Sequence, residues 1–204
     1  MATWWIIPAR KGSKELPGKN HRLVPLLLAG LPAVWRDHTV LTTDDDVLAA
    51  QNNTVLTIKR PAELATDTAS MRGVLRHFVS YFGVARDTLL VVLYPTFPCI
   101  EHRGIAQGIT KVLAGAPLAL GRMPVLEHPY RMFVAGEPLT PTGVYRRQDY
   151  PAAWSICHAV CVMRASTLDT VDDNLWCPGV EWVDIQRQID VDSQCDMDKL
   201  LGDS

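Results

Sequence analysis

The sequence predicts an α/β fold with a mostly parallel sheet, and three observations carry that expectation. Short apolar runs that stop at polar loops recur along the chain, as in "WWIIP" (residues 4–8) and "TVLTTD" (39–44). Other stretches have apolar residues at helical spacing, as Val74, Leu75, Phe78, Val79 and Phe82 have in "MRGVLRHFVSYF". The two kinds alternate, and alternating strands and helices make βαβ units. A chain of 204 residues, 48% of them apolar, is read as one domain, 1–204, with material for a sizeable core.

In chain order, "WWIIP" reads as a buried first strand, "TVLTTD" as a second and "TVLTIKR" (54–60) as a third. The helix of 71–82 follows. "DTLLVVLYPTFP" (87–98) is the strongest strand, stopped by two prolines, and "HRGIAQGITKVLAG" (102–115) is the next helix. "APLALGRM" (116–123) is a further strand. From Pro124 to Pro151 the pattern fails, and proline, glycine and basic residues predict a protruding hairpin or arm. "WSICHAVCVM" (154–163) and "VEWVDI" (180–185) resume strands, and "SQCDMDKLLG" (193–202) reads as a terminal helix with Ser193 as its N-cap.

Composition narrows the function. A net charge of −2 gives no global basicity for nucleic acid. No segment is long and apolar enough to span a membrane, and the first residues lack the form of a secretory signal, so a cytoplasmic protein is expected. Five cysteines without a CxxC pair argue against a disulfide framework and a zinc ribbon. Cys157, His158 and Cys161 have metal-ligating chemistry, but in a buried strand cysteine more often fills core space.

Charge is unevenly spread. Arg10, Lys11, Lys14, Lys19 and Arg22 crowd one loop against Glu15 alone, whereas Asp184, Asp190, Asp192, Asp196 and Asp198 gather near the other end. A polyanion on the first group and a cation on the second is the functional reading; two solvated patches is the bland one. In "ARKGSKELPGKN" (9–20), five residues separate Gly12 from Gly18 and Lys19 precedes Asn20, so the Walker spacing is not met. Its glycines still let backbone amides turn to an anion, with Arg10 and Lys19 as counter-charges and Ser13 and Asn20 as neutral donors. Polar clusters after predicted strands, at 10–20, 42–46, 60–70 and 190–193, predict one composite site at the carboxyl ends of the sheet.

These residues resemble a family. "IIPARKGSKELPGKN" is similar to the N-terminal signature of the acylneuraminate cytidylyltransferases, A-R-x-x-S-K-x-[LI]-P-x-K-N. "VLTTDDDVLAA", "RPAELATDTAS", "LYPTFP" and "IDVDSQCDM" resemble four further motifs of that family, in order. The resemblance implies a three-layer fold of the nucleotide-diphospho-sugar transferase type, with 124–151 as a dimerisation arm in a homodimer. It implies transfer of CMP from CTP to a 2-keto-3-deoxy sugar acid, with release of pyrophosphate. Lys19 and Arg10 would contact the phosphates, with Ser13 and Asn20 beside them. Arg60, Thr68, Ala69 and Ser70 would frame the nucleoside. Asp190 and Asp192 would hold Mg²⁺, Asp192 being catalytic. Two apart on an extended segment, those carboxylates are expected to share a face only if the backbone bends. By themselves, Asp67, Thr68 and Ser70 read as an ordinary helix start, and Asp190-x-Asp192 as a turn or cap.

"HPYR" and "RRQDYP" resemble arm pieces of the family, which makes Arg131 and Arg147 candidates for a sugar carboxylate. The likeness breaks on the sugar side. Tyr94 stands where the family has glutamine and Phe97 where it has serine. In "CHAVC", Cys157, His158 and Cys161 replace its asparagine, glycine and tyrosine. A less polar acceptor pocket is expected, with Tyr94 and Cys157 lining it. Residues 21–40 are too few for the family's usual helix there, and Pro25 and Pro32 are expected to interrupt one. Alternatives are a Kdo-type or other sugar-acid cytidylyltransferase, a P-loop kinase, and a catalytically silent nucleotide-binding homologue.

Overall fold

The computed structural model describes residues 2–186 and 188–202. The chain enters as β1 (Thr3–Pro8), then forms α1 (Lys19–Gly30), a turn α2 (Ala33–Arg36), β2 (Thr39–Thr43), a short α3 (Asp46–Gln51) and β3 (Leu56–Lys59). It continues through α4 (Met71–Phe82), β4 (Leu89–Val92), α5 (His102–Leu113) and β5 (Leu118–Pro124). The arm carries β6 (Phe133–Val134) and β7 (Glu137–Pro138), and β8 (Trp154–Arg164), β9 (Glu181–Asp184) and α6 (Gln194–Gly202) complete the order. Seven strands form one sheet in the order β3-β2-β1-β4-β8-β5-β9, with β8 alone antiparallel to its neighbours β4 and β5.

The continuous apolar runs read as strands are buried because helices cover both faces of the sheet. On one face Val24, Leu27 and Leu28 of α1, Leu48 of α3, and Ile105 and Val112 of α5 pack with Ile7, Leu41 and Val91. On the other, Leu75 and Phe78 of α4 and the segment around Leu168 and Val171 pack with Ile6, Val40 and Leu90. The three-layer, mostly parallel α/β expectation therefore holds.

Two expectations need correction. A helix does run through the proline-containing stretch: α1 spans twelve residues with Pro25 inside it. An interior proline removes one backbone donor and costs about 3 kcal/mol. Burying Leu23, Val24, Leu27 and Leu28 on one side of α1 offsets that loss. Pro32 does act as a stop, standing just before α2. Asp190 and Asp192, for their part, need no bend. Alternation along an extended chain puts residues two apart on one side. No bend is assigned at 190–192, and Val191 between them is fully buried.

A small third cluster positions the site. Leu16 of the basic loop, Leu23 of α1, Val191 and Met197 of α6 are all buried together. The Val191 amide also donates to the Thr96 carbonyl at 2.9 Å. Packing of these four side chains draws residues 190–192 beneath the start of α1. The 124–151 segment stands off the sheet as a separate two-stranded ribbon, steadied by ring contacts among His128, Tyr130 and Tyr150 at 4.8–5.3 Å. Leu126, Phe133, Val134 and Tyr145 are exposed on it.

Candidate active site

Beyond the carboxyl ends of β1, β3 and β4 lies a cleft of about 210 Å³. Its walls include Arg10, Ser13, Lys19 and Asn20 from the loop after β1, Arg60, Asp67 and Ala69 from the segment after β3, and Tyr94 and Thr96 after β4. Of the four polar clusters expected to form one composite site, 10–20 and 60–70 meet in this cleft, whereas 42–46 and 190–193 do not line it, and Asp190 faces a separate hollow with Met123 and Lys199. Gly12 and Gly18 take φ of 78° and 71°, a left-handed region open to glycine at no steric cost, and Gly18 turns the loop into α1. Asn20 ties the loop down by donating its amide to the Arg10 carbonyl at 2.8 Å. The Lys11 amide donates to Asp44 at 2.7 Å, which fastens the loop to the end of β2.

The cations of the cleft differ in how they are held. Lys19, the first residue of α1, reaches Asp192 with Nζ 2.7 Å from Oδ1. Arg10 pairs with Asp67. Arg60 is 5% exposed and has no carboxylate within ion-pair distance among the described residues; its Nη2 donates to the Thr42 carbonyl at 2.9 Å. Burial brings its guanidinium down to about 10, with Arg10 adding repulsion and Asp44 opposing both. A buried, unpaired guanidinium is costly, and an anion in the cleft would relieve it.

On the acidic side, Asp190 is raised above the ordinary carboxylate value. Protein crowding around its carboxyl is the largest cause and the charges of Asp192 and Asp196 add to it, against a hydrogen bond from Thr96 and the charge of Lys19. Asp190 and Asp192 thus lie close enough to feel each other's charge. Asp190 and Asp192 are hard oxygen donors suited to Mg²⁺, which takes one or two carboxylates and fills its shell with phosphate oxygens and water. No group of three or more His, Cys, Asp or Glu residues able to hold a metal on their own occurs among the described residues. Asp196 is committed elsewhere, accepting from the Ser193 hydroxyl at 2.6 Å and amide at 3.0 Å at the start of α6.

Other residues singled out in the sequence lie apart from the cleft wall. Ser70 caps α4, accepting from the Gly73 amide at 3.1 Å, and Thr68 is exposed beside Thr66. Cys157 and Cys161 are fully buried, as the core reading has it, and burial raises both thiols, Cys161 to about 12. Cys157 therefore shapes the site from behind and does not line the cleft. Its neighbour His158 lies 4.9 Å from the Tyr94 ring, with Nδ1 buried and unpartnered among the described residues. Arg131 and Arg147 share a hollow of about 300 Å³ in the arm, where Arg131 is paired with Glu127.

Several contributors escape a reading by sequence. Thr96, Leu64, Thr66, Met71 and Val74 join the cleft only through the fold. So does a brace behind the loop. His21 Nε2 donates to Asp45 at 2.8 Å while Nδ1 faces Gln51 Oε1 at 3.0 Å. Those contacts raise the His21 pKa, the Gln51 hydrogen bond most, and they fasten α1 to α3. The sequence signal for Asp45 was its position before α3, where its carboxylate also accepts from the Val47 and Leu48 amides.

Comparison with known proteins follows the same lines. No protein-family model matches the chain. Over 113 residues, 51% of this chain, it is 33% identical to an N-acylneuraminate cytidylyltransferase of Escherichia coli O18:K1:H7, 26% of which is covered. Over 117 residues, again 51% of this chain, it is 32% identical to a CMP-N,N'-diacetyllegionaminic acid synthase of Legionella pneumophila, 50% of which is covered. The chain thus matches half or less of the length of these relatives. In fold it is similar to the solved structure of a CMP:2-keto-3-deoxy-manno-octonic acid synthetase complexed with CTP. The TM-score is 0.69 at 14% identity, over 99% of this chain and 98% of that one. The likeness in sequence is to two sugar-acid cytidylyltransferases over half of this chain, and the likeness to the solved structure is one of fold.

Proposed function

We propose that this chain is a cytidylyltransferase that transfers CMP from CTP to a sialic-acid-like 2-keto-3-deoxy sugar acid. The observation that carries this reading is the meeting of Arg10, Lys19 and Arg60 in one cleft, with Asp192 in contact with Lys19. Three cations around about 210 Å³ suit a polyphosphate, and a carboxylate pair beside them suits its counter-ion. In the reaction the anomeric hydroxyl of the acceptor attacks the α-phosphorus. The bond from that phosphorus to the β-phosphate oxygen breaks, and pyrophosphate leaves. Lys19 and Arg10 offset negative charge on the phosphates as it shifts to the leaving group. Arg60, with Ala69 and the start of α4, faces the nucleoside. Asp190 and Asp192 would hold Mg²⁺, which when bound would supply positive charge for the phosphates and make the attacking hydroxyl more acidic.

On the acceptor side, Tyr94 over His158 offers a less polar wall, and Arg131 and Arg147 of the arm supply a carboxylate site across a homodimer. A cytoplasmic enzyme is part of the same reading. Measuring pyrophosphate release from CTP with N-acetylneuraminic acid, diacetyllegionaminic acid and Kdo tests it. Release with one of them is expected, and it should require Mg²⁺ and disappear in Asp192→Asn while the fold is kept. Silence with every acceptor would sink the reading in favour of a catalytically silent nucleotide-binding homologue. The end-to-end likeness in fold to the Kdo-activating enzyme favours a second reading, which turnover with Kdo alone would establish.

A further inference from the structure

We propose that Asp67 is an internal counter-ion that holds Arg10 and Lys14 across the mouth of the cleft and is exchanged for the phosphates of an incoming nucleotide. The proposal rests on the reading of the cleft as a polyphosphate site. Arg10 Nη2 lies 2.5 Å from Asp67 Oδ1, and Lys14 Nζ contacts Oδ2 of the same carboxylate. Arg10 and Lys14 belong to the loop after β1, whereas Asp67 belongs to the opposite wall, after β3. One carboxylate therefore bridges two walls of the cleft through two cations. Those cations also keep the Asp67 carboxyl below its ordinary range, with the Lys14 hydrogen bond the largest cause.

What makes the bridge exchangeable is its exposure. Side-chain exposures of 34% for Arg10, 79% for Lys14 and 42% for Asp67 place both pairs where solvent screens them. Such exposed pairs contribute little to stability. A triphosphate brings several charges to the same two cations and outcompetes a single carboxylate. Arg60 behaves differently: buried and fixed by Thr42, it stays in position whether or not the mouth is bridged. Asp192 likewise holds Lys19, but it keeps a role beside Asp190 once phosphate arrives. Asp67 has no other hydrogen-bonded partner among the described residues, so its release frees the wall as well as the cations.

The test is calorimetric titration of the full chain with inorganic tripolyphosphate in metal-free buffer, for wild type, Asp67→Asn and Asp67→Ser. Both variants should bind roughly three- to tenfold tighter, as expected when one or two exposed pairs no longer compete. Trypsin cleavage after Lys11 or Lys14 should quicken in both, and tripolyphosphate should slow it again. Equal or weaker binding overturns the proposal, because Asp67 would then orient Arg10 for the ligand and not compete with it. Unchanged cleavage overturns it too, since the bridge would not be closing the mouth. Tripolyphosphate carries neither base nor acceptor. Tighter binding by the variants alongside failure to turn over any sugar acid would therefore refute the cytidylyl transfer and leave the exchange standing.

Discussion

Gly121→Ala tests the link between the sheet and the site. Leu120 of β5 pairs with Cys161 of β8, yet the next residue, Gly121, pairs with Cys157. His158, Ala159 and Val160 are thus bulged out of the ladder, as happens where a strand re-aims side chains next to a site. A Cβ on Gly121 would lie 2.5 Å from the Cys157 carbonyl oxygen, 3.2 Å from Ile185 Cδ1 and 3.3 Å from Val160 Cβ. Real Cβ atoms essentially never come under 3.0 Å, so the oxygen must retreat by about 0.5 Å or more. That oxygen is backbone in a central strand and has no rotamer to adopt. Overpacking of this kind costs about 1–3 kcal/mol. In a chain of this length each kcal/mol lowers Tm by roughly 2–4 °C. Urea titration should show a lower midpoint at unchanged slope. Because the bulge holds His158 against Tyr94, acceptor KM should rise while CTP affinity is kept. Stability within about 0.5 kcal/mol of wild type would refute the reasoning, since it would mean the bulge can relax freely.

Two further outcomes follow from charge. Arg60→Met should leave stability unchanged or slightly higher, since it removes a buried guanidinium with no ion pair among the described residues, yet weaken CTP binding at least about tenfold; a melt and a titration with CTP check both halves. Stability should also depend on pH through the His21–Asp45 brace. The His21 pKa is raised, so its contribution is full below about 6.5 and is lost as pH rises through the folded value. Asp45 is lowered through the Leu48 amide and His21, against desolvation, so its contribution is full above about 3.9 and is lost as pH falls through the folded value. Urea midpoints across this range should show both losses in wild type, and the alkaline one should vanish in His21→Ala.

Much of this was legible in the residues. α4 and α5 could be read from their periodicity because each buries one continuous face, β1 from an unbroken apolar run because both of its faces are covered, and Ser193 announced α6. The path of α1 was hidden because Pro25 is a strong local breaker and only the tertiary burial of Leu23 and Leu27 overrules it. α3 has too few residues to show a period. The reversed direction of β8 left no trace, since an apolar run reads alike in either sense. Within the cleft, Lys19, Arg10 and Arg60 stood out by charge and motif. Thr96 and Asp67 did not, because their parts depend on what the fold brings opposite them. Cys157 looked like a wall residue by its position in a motif, and only the direction of its side chain, into the core, shows otherwise.

The contact between Lys19 and Asp192 joins residues 173 apart in the chain. The strands nearest the phosphate loop, β1 to β4, pair among themselves within the first 92 residues. During synthesis the cationic wall is therefore complete long before its acidic counterpart leaves the ribosome. Until Val191 and Met197 dock beneath Leu16 and Leu23, a nascent chain has Lys19 without its partner Asp192. Closure of that apolar seam is what brings the two charges together.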